Sequence, residues 1–324
     1  MGHATIPISV VIPTYNRSRL IQRAITCVLA QTVPCKELLI VDDGSTDDTV
    51  DVVRSFGPPV RLIPQQHGGP SRARNLGVAE ATTDWIAFLD SDDLWHPDYL
   101  ERMSAAIGAT SGKAAVYFSD VNYDNTARTH WAKAGFVSAE PVHLFTDASR
   151  VAMMETHPML LPFSVFRKDV YQRYGGLLDT LWSGEDTHLF IRLGLGEALC
   201  AVNHIGGVVT SDEADPRNRL TLEYDSSTLR RWRGLVVMYT HVLRTTPSMP
   251  RSARSELRAR LAHCYWRIAR LSWMGRKYRD VLPALSRSFI TDFRVTPRVV
   301  LDAIARNVLD RKGNDPRTAK TANN

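Results

Sequence analysis

Cysteine is scarce in this sequence, with four residues among 324, and none of them forms a C-x-x-C pair or a zinc-type spacing. This pattern excludes a disulfide framework and a thiolate metal site, and it is typical of a reducing compartment. We therefore interpret all four as packing residues: Cys27, Cys35, Cys200 and Cys264.

Long apolar runs are also absent, because no stretch approaches the roughly 18 residues that a membrane-spanning helix needs. The opening MGHATIPISVVIP has no basic segment ahead of its apolar run, so we expect no signal peptide. The expectation is therefore a cytoplasmic protein.

Glycine-rich nucleotide loops are missing as well. A dinucleotide site of the Rossmann type needs G-x-G-x-x-G after the first strand, but the sequence there is PTYNRSR, which contains no glycine. No P-loop is present. A nucleotidyltransferase, which combines an α/β fold with metal-binding acids, would carry a glycine-rich basic loop at this place, and it stays the alternative enzyme class.

Charge is distributed unevenly along the chain. Residues 230–312 contain 19 Lys and Arg against 5 Asp and Glu, whereas the rest of the chain contains 21 against 29. Such asymmetry indicates an acidic body able to hold a metal and a basic part able to meet anionic lipid, nucleic acid or an acidic acceptor. A solvated helical face is the simpler interpretation of the basic part.

The first 107 residues predict four successive strand–helix units, which indicates a parallel sheet with helices on its faces. The strands are expected at 6–14, 37–41, VRLIPQ and DWIAF. Ser45 and Asp48 predict a capping box for the second helix. Pro97 is expected in the first turn of the fourth helix.

After residue 112 we expect further strands at KAAVYFSDVNYDN, MLLPFSVF and ALCAVNHIGGVVTS, and helices at RKDVYQRYGGLL and from near Glu185. From about residue 227 three or four Arg-rich helices are expected, broken at TTPSMP, MGRK and FRVTP. The predicted division is a domain at residues 1–222, a basic helical extension at 223–312 and a disordered tail at 313–324.

Acidic and polar residues follow three predicted strands directly, in PTYNR at 13–17, DDGS at 42–45 and DSDD at 90–93. They should share the carboxyl edge of the sheet, where open α/β sheets bind ligands. Carboxylates about 5 Å apart repel by roughly 3 kcal/mol at an effective dielectric near 20, so stability alone does not favour such a cluster. We expect a divalent metal there, with a phosphorylated ligand supplying further oxygens. Helix-capping and turn roles are the alternative for these acids.

Six segments in register resemble glycosyltransferase family 2, whose members have the GT-A fold: VVIPTYNR, LLIVDDGSTDDT, GGPSRARNLG, FLDSDDLWHPDYLE, VFRKDVYQRYGGL and GEDTHLFIRL. The resemblance covers about residues 7–212. It implies an α/β GT-A fold of Rossmann-like type, with a mixed, mainly parallel sheet, a C-terminal α-helical extension and Mg²⁺ or Mn²⁺ as the cofactor. It also implies inverting, metal-dependent transfer from a UDP- or dTDP-type sugar to a hydroxyl of a saccharide or lipid-linked acceptor.

The resemblance also assigns roles to the donor side. Tyr15 would stack on the nucleobase, and Asp43 would accept a hydrogen bond from a uracil- or thymine-type ring N–H. Asp90 would reach the ribose or a bound water, and Asp92 would bind the metal directly. The complete donor set is Pro13, Tyr15, Asp43, Arg72, Arg74, Asn75, Asp90 and Ser91, in which the two arginines and Asn75 would face ribose or phosphate.

On the acceptor side the resemblance implies that Asp186 is the general base and that Glu185 shapes the acceptor pocket. The other interpretation of Asp186 is an acid at a helix N-terminus. His204 is a candidate metal ligand together with Asp90 and Asp92. Because its surroundings, NHIGGVVTSDE, depart from the family pattern, a strand histidine satisfied by a carbonyl stays open.

The basic extension contains RSELRARLAHCYWRIARLSWMGRKYR, which is amphipathic and has aromatic residues among its arginines. This pattern is typical of a surface that lies on anionic lipid, so we expect peripheral association with the inner face of a membrane. Helices packed on their own domain would explain it equally well. We expect no nucleic-acid partner, because the acidic edge would repel phosphate. A non-catalytic nucleotide-sugar-binding protein is the alternative outside the enzymes.

Overall fold

The computed structural model describes residues 5–181, 184–210 and 228–294. The strands in these residues are β1 Ile8–Thr14, β2 Glu37–Asp42, β3 Val60–Pro64, β4 Trp85–Phe88, β5 Leu94–Trp95, β6 Val116–Tyr123, β7 Val142–Phe145, β8 Ser164–Arg167 and β9 Leu199–Val209. The helices are α1 Ser18–Leu29, α2 Thr49–Ser55, α3 Pro70–Glu80, α4 Tyr99–Ala109, α5 His130–Ala134, α6 Ser149–Ala152, α7 Lys168–Arg173, α8 Glu185–Gly196, α9 Leu229–Thr245, α10 Arg251–Met274 and α11 Val281–Thr291.

All nine strands form one sheet, in the order β3-β2-β1-β4-β8-β6-β9-β5, with β7 also paired to β9. The first four strands along this order pair in parallel, as the four strand–helix units predict. β8, β5 and β7 run against their neighbours. The sheet is therefore mixed and mainly parallel, which confirms the predicted fold class.

Both faces of the sheet are covered by helices. Successive side chains of a strand point to opposite faces, so each strand contributes to an apolar cluster on either side. In β1, Val10 and Ile12 join an apolar cluster with Ile21 and Ile25 of α1. Val11 belongs to the other cluster, with residues of α3, α7 and α8. Covering both faces with helices explains why the central strands are almost continuously apolar.

Two local predictions are wrong. Ser45 does not begin the second helix, because α2 starts at Thr49 and the Ser45 hydroxyl accepts a hydrogen bond from Asn16 N at 2.9 Å. Asp47 receives the first-turn hydrogen bond instead, from Thr49 N at 3.0 Å. Pro97 lies two residues before α4 and not in its first turn.

The described residues divide into two compact units. One contains the sheet and its helices, together with residues 246–250, and the other contains α9, α10 and α11. The predicted boundaries at residues 222 and 312, the loop that follows β9 and the predicted tail at 313–324 lie outside the described residues.

In the second unit, Ser288 of α11 donates a hydrogen bond to the carbonyl of Ala262 in α10, at 2.9 Å. Ala284 and Ser288 are buried, whereas the other side of α11 exposes large apolar side chains. No helix among the described residues offers an apolar stretch of the length that crossing a membrane requires.

Candidate functional site

The carboxyl ends of the parallel strands gather the polar turns at one edge of the sheet. Thr14 at the end of β1 pairs with Asp42 at the end of β2, and β4 pairs with the other side of β1. A cleft of about 520 Å³ opens at this edge. Of the predicted site residues, the lining includes Pro13, Tyr15, Asp43, Arg74, Asp90, Ser91 and Asp92.

Three carboxylates meet at the turn after β4. Each of Asp90, Asp92 and Asp93 offers an oxygen within 4.8 Å of the other two. Asp93 is buried and accepts a hydrogen bond from Thr210 N at 3.2 Å. Burial, and then the charges of Asp90 and Asp92, raise the pKa of Asp93 well above its ordinary value. The turn therefore concentrates negative charge at a partly buried position.

Two arginines approach this turn. Arg74 of α3 is buried, and its Nη2 lies 2.5 Å from Asp90 Oδ1. Arg17, which follows β1, has its Nη2 3.8 Å from Asp92 Oδ2. The Nε and Nη1 atoms of Arg74 have no hydrogen-bond partner among the described residues. The guanidinium therefore retains two donors for an anionic group in the cleft.

The donor atoms of this turn fit a hard divalent cation. They are carboxylate oxygens from one short segment, and oxygen is the ligand that Mg²⁺ and Mn²⁺ prefer. After burial, the charges of Asp90 and Asp92 also raise the pKa of Asp93, so the three carboxylates repel one another. A cation held by Asp90, Asp92 and Asp93 would relieve that repulsion.

Asp43 lies at the bottom of the cleft and is 3% exposed. Its two oxygens accept hydrogen bonds from Gly68 N and Gly69 N at 2.8 Å each, and from Gln65 Nε2 at 2.5 Å. His67 Nδ1 lies 3.0 Å from Asp43 Oδ2. The His67 ring packs against Tyr15 at a tilt of 33°, with 4.4 Å between ring centroids, and its side chain is 61% exposed. Of the groups that contact Asp43, His67 is an exposed side chain that a ligand in the cleft can displace.

Glu185 and Asp186 begin α8, where the helix dipole favours acids. Glu185 Oε1 lies 3.8 Å from Arg74 Nη1, so Arg74 connects this pair to Asp90. Burial, and then the charge of Asp186, raise the pKa of Glu185 to about 7. Asp186 Oδ1 accepts a hydrogen bond from Thr187 N at 2.6 Å.

Three predicted site residues have contacts that differ from the expected ones. The Asn75 amide donates to Leu177 O at 2.8 Å and accepts from Tyr171 Oη at 2.7 Å, so it supports a loop and does not face ribose or phosphate. Arg72 is exposed and its side chain lies over Gly68. His204 Nε2 lies 3.2 Å from Asp98 Oδ1, and within the described residues His204 is not part of the carboxylate cluster. A role for His204 as a metal ligand stays a prediction.

A protein-family model described as glycosyl transferase family 2 matches residues 9–175, which is half of the chain. The chain belongs to glycosyl transferase family 2. The matched range runs from β1 through α7, and α8 with Glu185 and Asp186 follows it.

Relatives that are named as glycosyltransferases agree with this assignment, and solved structures share the fold. An uncharacterised glycosyltransferase of Rickettsia conorii is 30% identical over 208 residues, which are 62% of this chain and 31% of that protein. The matched segment is about a third of the full length of several curated relatives. The crystal structure of S. aureus TarS in complex with UDP-GlcNAc has a TM-score of 0.61 at 17% identity, covering 92% of each chain.

The mannosyltransferase PcManGT from Pyrobaculum calidifontis, in complex with GDP-Man and Mn²⁺, has a TM-score of 0.57 at 18% identity. It covers 94% of this chain and 83% of that one. At such identities the two structures show a shared fold. They confirm the predicted GT-A type fold of this family-2 chain.

Several cleft residues were not predicted from the sequence. Arg17 stands inside the PTYNR segment, so its position after β1 was an available signal. Tyr123 and Thr210 had no such signal, because the pairing of β6 with β9 brings them to the cleft from segments far apart in the chain.

Proposed function

We propose that this protein transfers a glycosyl group from a nucleoside-diphosphate sugar to an acceptor hydroxyl, with inversion and with Mg²⁺ or Mn²⁺. The observation that carries the proposal is the group of Asp90, Asp92 and Asp93 in a cleft that Tyr15 and Asp43 also line. Complexes of structural neighbours with UDP-GlcNAc, and with GDP-Man and Mn²⁺, support this class of donor.

The nucleobase would enter at Tyr15 and Asp43. Asp43 already receives three donors from the protein, so a ring N–H of the base would take the place of the exposed His67 at Oδ2. Uracil and thymine offer one such N–H, in agreement with a UDP or dTDP donor. Tyr15, freed from His67, would then stack on the base.

The diphosphate would lie near Asp90, Ser91 and Asp92, with the free donors of Arg74 facing its oxygens. Here Asp90, Asp92 and Asp93 would hold the divalent cation. A cation bound there neutralises charge on a departing diphosphate. Arg74 and Arg17 would add fixed positive charge on the protein side.

Asp186 is the proposed general base, which would take the proton of the acceptor hydroxyl as its oxygen attacks the anomeric carbon. Attack opposite the leaving diphosphate inverts that carbon. Glu185, whose pKa is raised to about 7, stays partly protonated near neutrality and would shape the acceptor side.

Donor binding provides the first test. Wild-type protein should bind UDP, or another nucleoside diphosphate, more tightly with Mn²⁺ than with EDTA, as measured by calorimetry. Asp92→Asn should lose the Mn²⁺ dependence, whereas Asp98→Asn, at an aspartate outside the cluster, should keep it. Equal affinity with Mn²⁺ and EDTA in the wild type would remove the metal from the proposal.

The products distinguish the alternatives. Transfer releases a nucleoside diphosphate, a nucleotidyltransferase releases pyrophosphate, and a non-catalytic binder releases neither. Asp186→Asn should bind donor as the wild type does and lose transfer at least a hundredfold. Transfer at the wild-type rate in this variant would place the base elsewhere.

Peripheral membrane association is proposed for the helical unit. Large apolar side chains are exposed on the side of α11 away from α10 and on the turn before it, among them Tyr278, Leu282, Phe289 and Ile290. Lysine and arginine are frequent in the same segment. Apolar side chains flanked by cations suit the surface of an anionic bilayer.

A further inference from the structure

Tyr123, at the end of β6, lines the cleft and forms a hydrogen bond with a buried histidine. Its hydroxyl oxygen lies 2.8 Å from Nδ1 of His130. The other ring nitrogen of His130, Nε2, lies 2.6 Å from the carbonyl oxygen of His157. These two contacts fix the direction of both hydrogen bonds.

A carbonyl oxygen only accepts, so the short contact with His157 requires a proton on Nε2 of His130. Burial lowers the pKa of His130, so the ring is neutral near pH 7 and carries no second proton. Nδ1 is then an acceptor, and the Tyr123 hydroxyl donates its proton to it. The Tyr123 oxygen consequently presents only lone pairs to a ligand.

The surroundings hold Tyr123 in this state. Trp131, next to His130, donates through its backbone N to Asp120 Oδ1 at 2.8 Å and through its ring N–H to Pro158 O at 3.0 Å. Lys133 Nζ lies 3.3 Å from the centroid of the Tyr123 ring. Burial raises the pKa of Tyr123, so its hydroxyl keeps its proton.

The pair lies beside the acidic turn at the mouth of β6 and β9. Tyr123 pairs with Val209, and the next residue, Thr210, donates to Asp93 of the acidic turn at 3.2 Å. A sugar hydroxyl near the acidic turn would meet the Tyr123 oxygen.

We propose that Tyr123 is a specificity-determining residue whose hydroxyl oxygen accepts a hydrogen bond from a sugar hydroxyl, because the tyrosine's own O–H is donated to His130 Nδ1. This inference rests on the proposed function. Donor and acceptor sugars offer the same hydroxyl chemistry, and the experiment separates the two sources.

The experiment compares wild type with Tyr123→Phe, which removes the oxygen and leaves the ring. Tyr117→Phe is the matched control, because Tyr117 is on the same strand but its hydroxyl contacts Thr110, outside the cleft. Calorimetry with Mn²⁺ gives the affinities for UDP and UDP-GlcNAc, or for GDP and GDP-mannose if the wild type binds guanine nucleotides. Kinetics give the KM for the acceptor.

Both variants should bind the free nucleoside diphosphate as the wild type does. With a donor-sugar contact, Tyr123→Phe should bind the sugar nucleotide roughly fivefold more weakly, the effect of about one hydrogen bond. With an acceptor contact, its acceptor KM should rise by the same factor. A deoxyfluoro sugar at the contacted position should bind wild type and Tyr123→Phe equally, because fluorine cannot donate.

Unchanged sugar-nucleotide affinity together with an unchanged acceptor KM in Tyr123→Phe would overturn the inference. Equal effects in Tyr117→Phe would also overturn it, because a general loosening of β6 would then be the cause. Failure of the wild type to bind any nucleoside diphosphate is a different result, since it would remove the proposed function itself.

Discussion

Arg74 contacts both Asp90 of the acidic turn and Glu185 at the start of α8. Its guanidinium lies 2.5 Å from Asp90 and 3.8 Å from Glu185, and it is buried in α3. Gly77, one turn further along α3, brings the helix close to β1, because a Cβ atom there would lie 2.3 Å from Val11 Cγ1.

Replacing Arg74 by methionine should therefore destabilise the fold. Removing one partner of a buried ion pair leaves the other charges uncompensated, and we expect a loss of about 2 kcal/mol in unfolding free energy. This is less than for a fully buried pair, because Asp90 is 31% exposed. Urea denaturation at pH 8 without divalent ions measures it.

Arg72→Met is the control on the same helix, because Arg72 is exposed, and it should change stability by less than about 0.5 kcal/mol. Equal losses of unfolding free energy in the two variants would contradict a specific role for the buried ion pairs of Arg74.

Glu185 should make the stability of the protein depend on pH. Its pKa is raised from 4.5 to about 7, by burial first and then by Asp186. Between these pH values the folded protein holds a proton that the unfolded chain has released, so stability falls as the pH rises through this window. Glu185→Gln removes the fall and should be more stable than wild type above pH 7, by up to about 3 kcal/mol.

Denaturation curves of wild type and Glu185→Gln at pH 4 and pH 8, with EDTA, test this. The exposed control Glu140→Gln should follow the wild type at both pH values. A constant difference between Glu185→Gln and wild type from pH 4 to pH 8 would contradict the raised pKa.

At the scale of elements, Asp47 in the turn before α2 also contacts the start of α1. Asp47 accepts hydrogen bonds from Thr49 N at 3.0 Å, from Thr49 Oγ1 at 2.5 Å and from Ser18 N at 3.3 Å. The same carboxylate thereby satisfies donors at the start of α1 and of α2.

Asp47→Ala should cost about 1 kcal/mol of unfolding free energy, the usual effect of losing a helix-terminal acceptor. Asp48→Ala, at the N-cap position but without a side-chain hydrogen bond to the helix, should cost less than half as much. Thermal unfolding of both variants compares the two positions. If Asp48→Ala is the more damaging, the cap belongs to Asp48.

At the scale of the whole molecule, charge separates along the chain. The basic excess of residues 230–312 coincides with exposed apolar side chains on α11 and on the turn before it, residues 275–280. Ala284 and Ser288 are buried, so the helix turns Leu282 and Phe289 outward. The proposal of membrane association depends on this combination of exposed apolar side chains and positive charge.

The full-length protein should therefore co-sediment with vesicles of phosphatidylglycerol and phosphatidylcholine, and less so with phosphatidylcholine alone. A double variant, Leu282→Glu with Phe289→Glu, should reduce the bound fraction at least tenfold, since both changes place charge on the apolar side of α11. Val137→Glu is the control, because Val137 is 85% exposed in the sheet unit. Binding that is equal in all three proteins would end the membrane proposal.

Local signals explain which parts were predictable. Apolar runs ending in PTYNR, DDGS and DSDD predict strands with polar ends, and parallel pairing brings those ends together whatever the details of packing. Ser45 was misplaced because a serine followed by an acid suits a capping box, while Asp47 competes for the same donors. The local preferences of serine and aspartate for helix N-termini do not distinguish Ser45 from Asp47 as the cap.

The sequence by itself determined the order of the first four strand–helix units, the mixed, mainly parallel sheet class, the acidic turn and membership of glycosyl transferase family 2, because these depend on residues close together in the chain. Only the tertiary structure decided that Arg74 lies between Asp90 and Glu185, that His204 contacts Asp98, and that Tyr123 enters the cleft. Those contacts join segments far apart in sequence, and their geometry depends on how helices and strands pack.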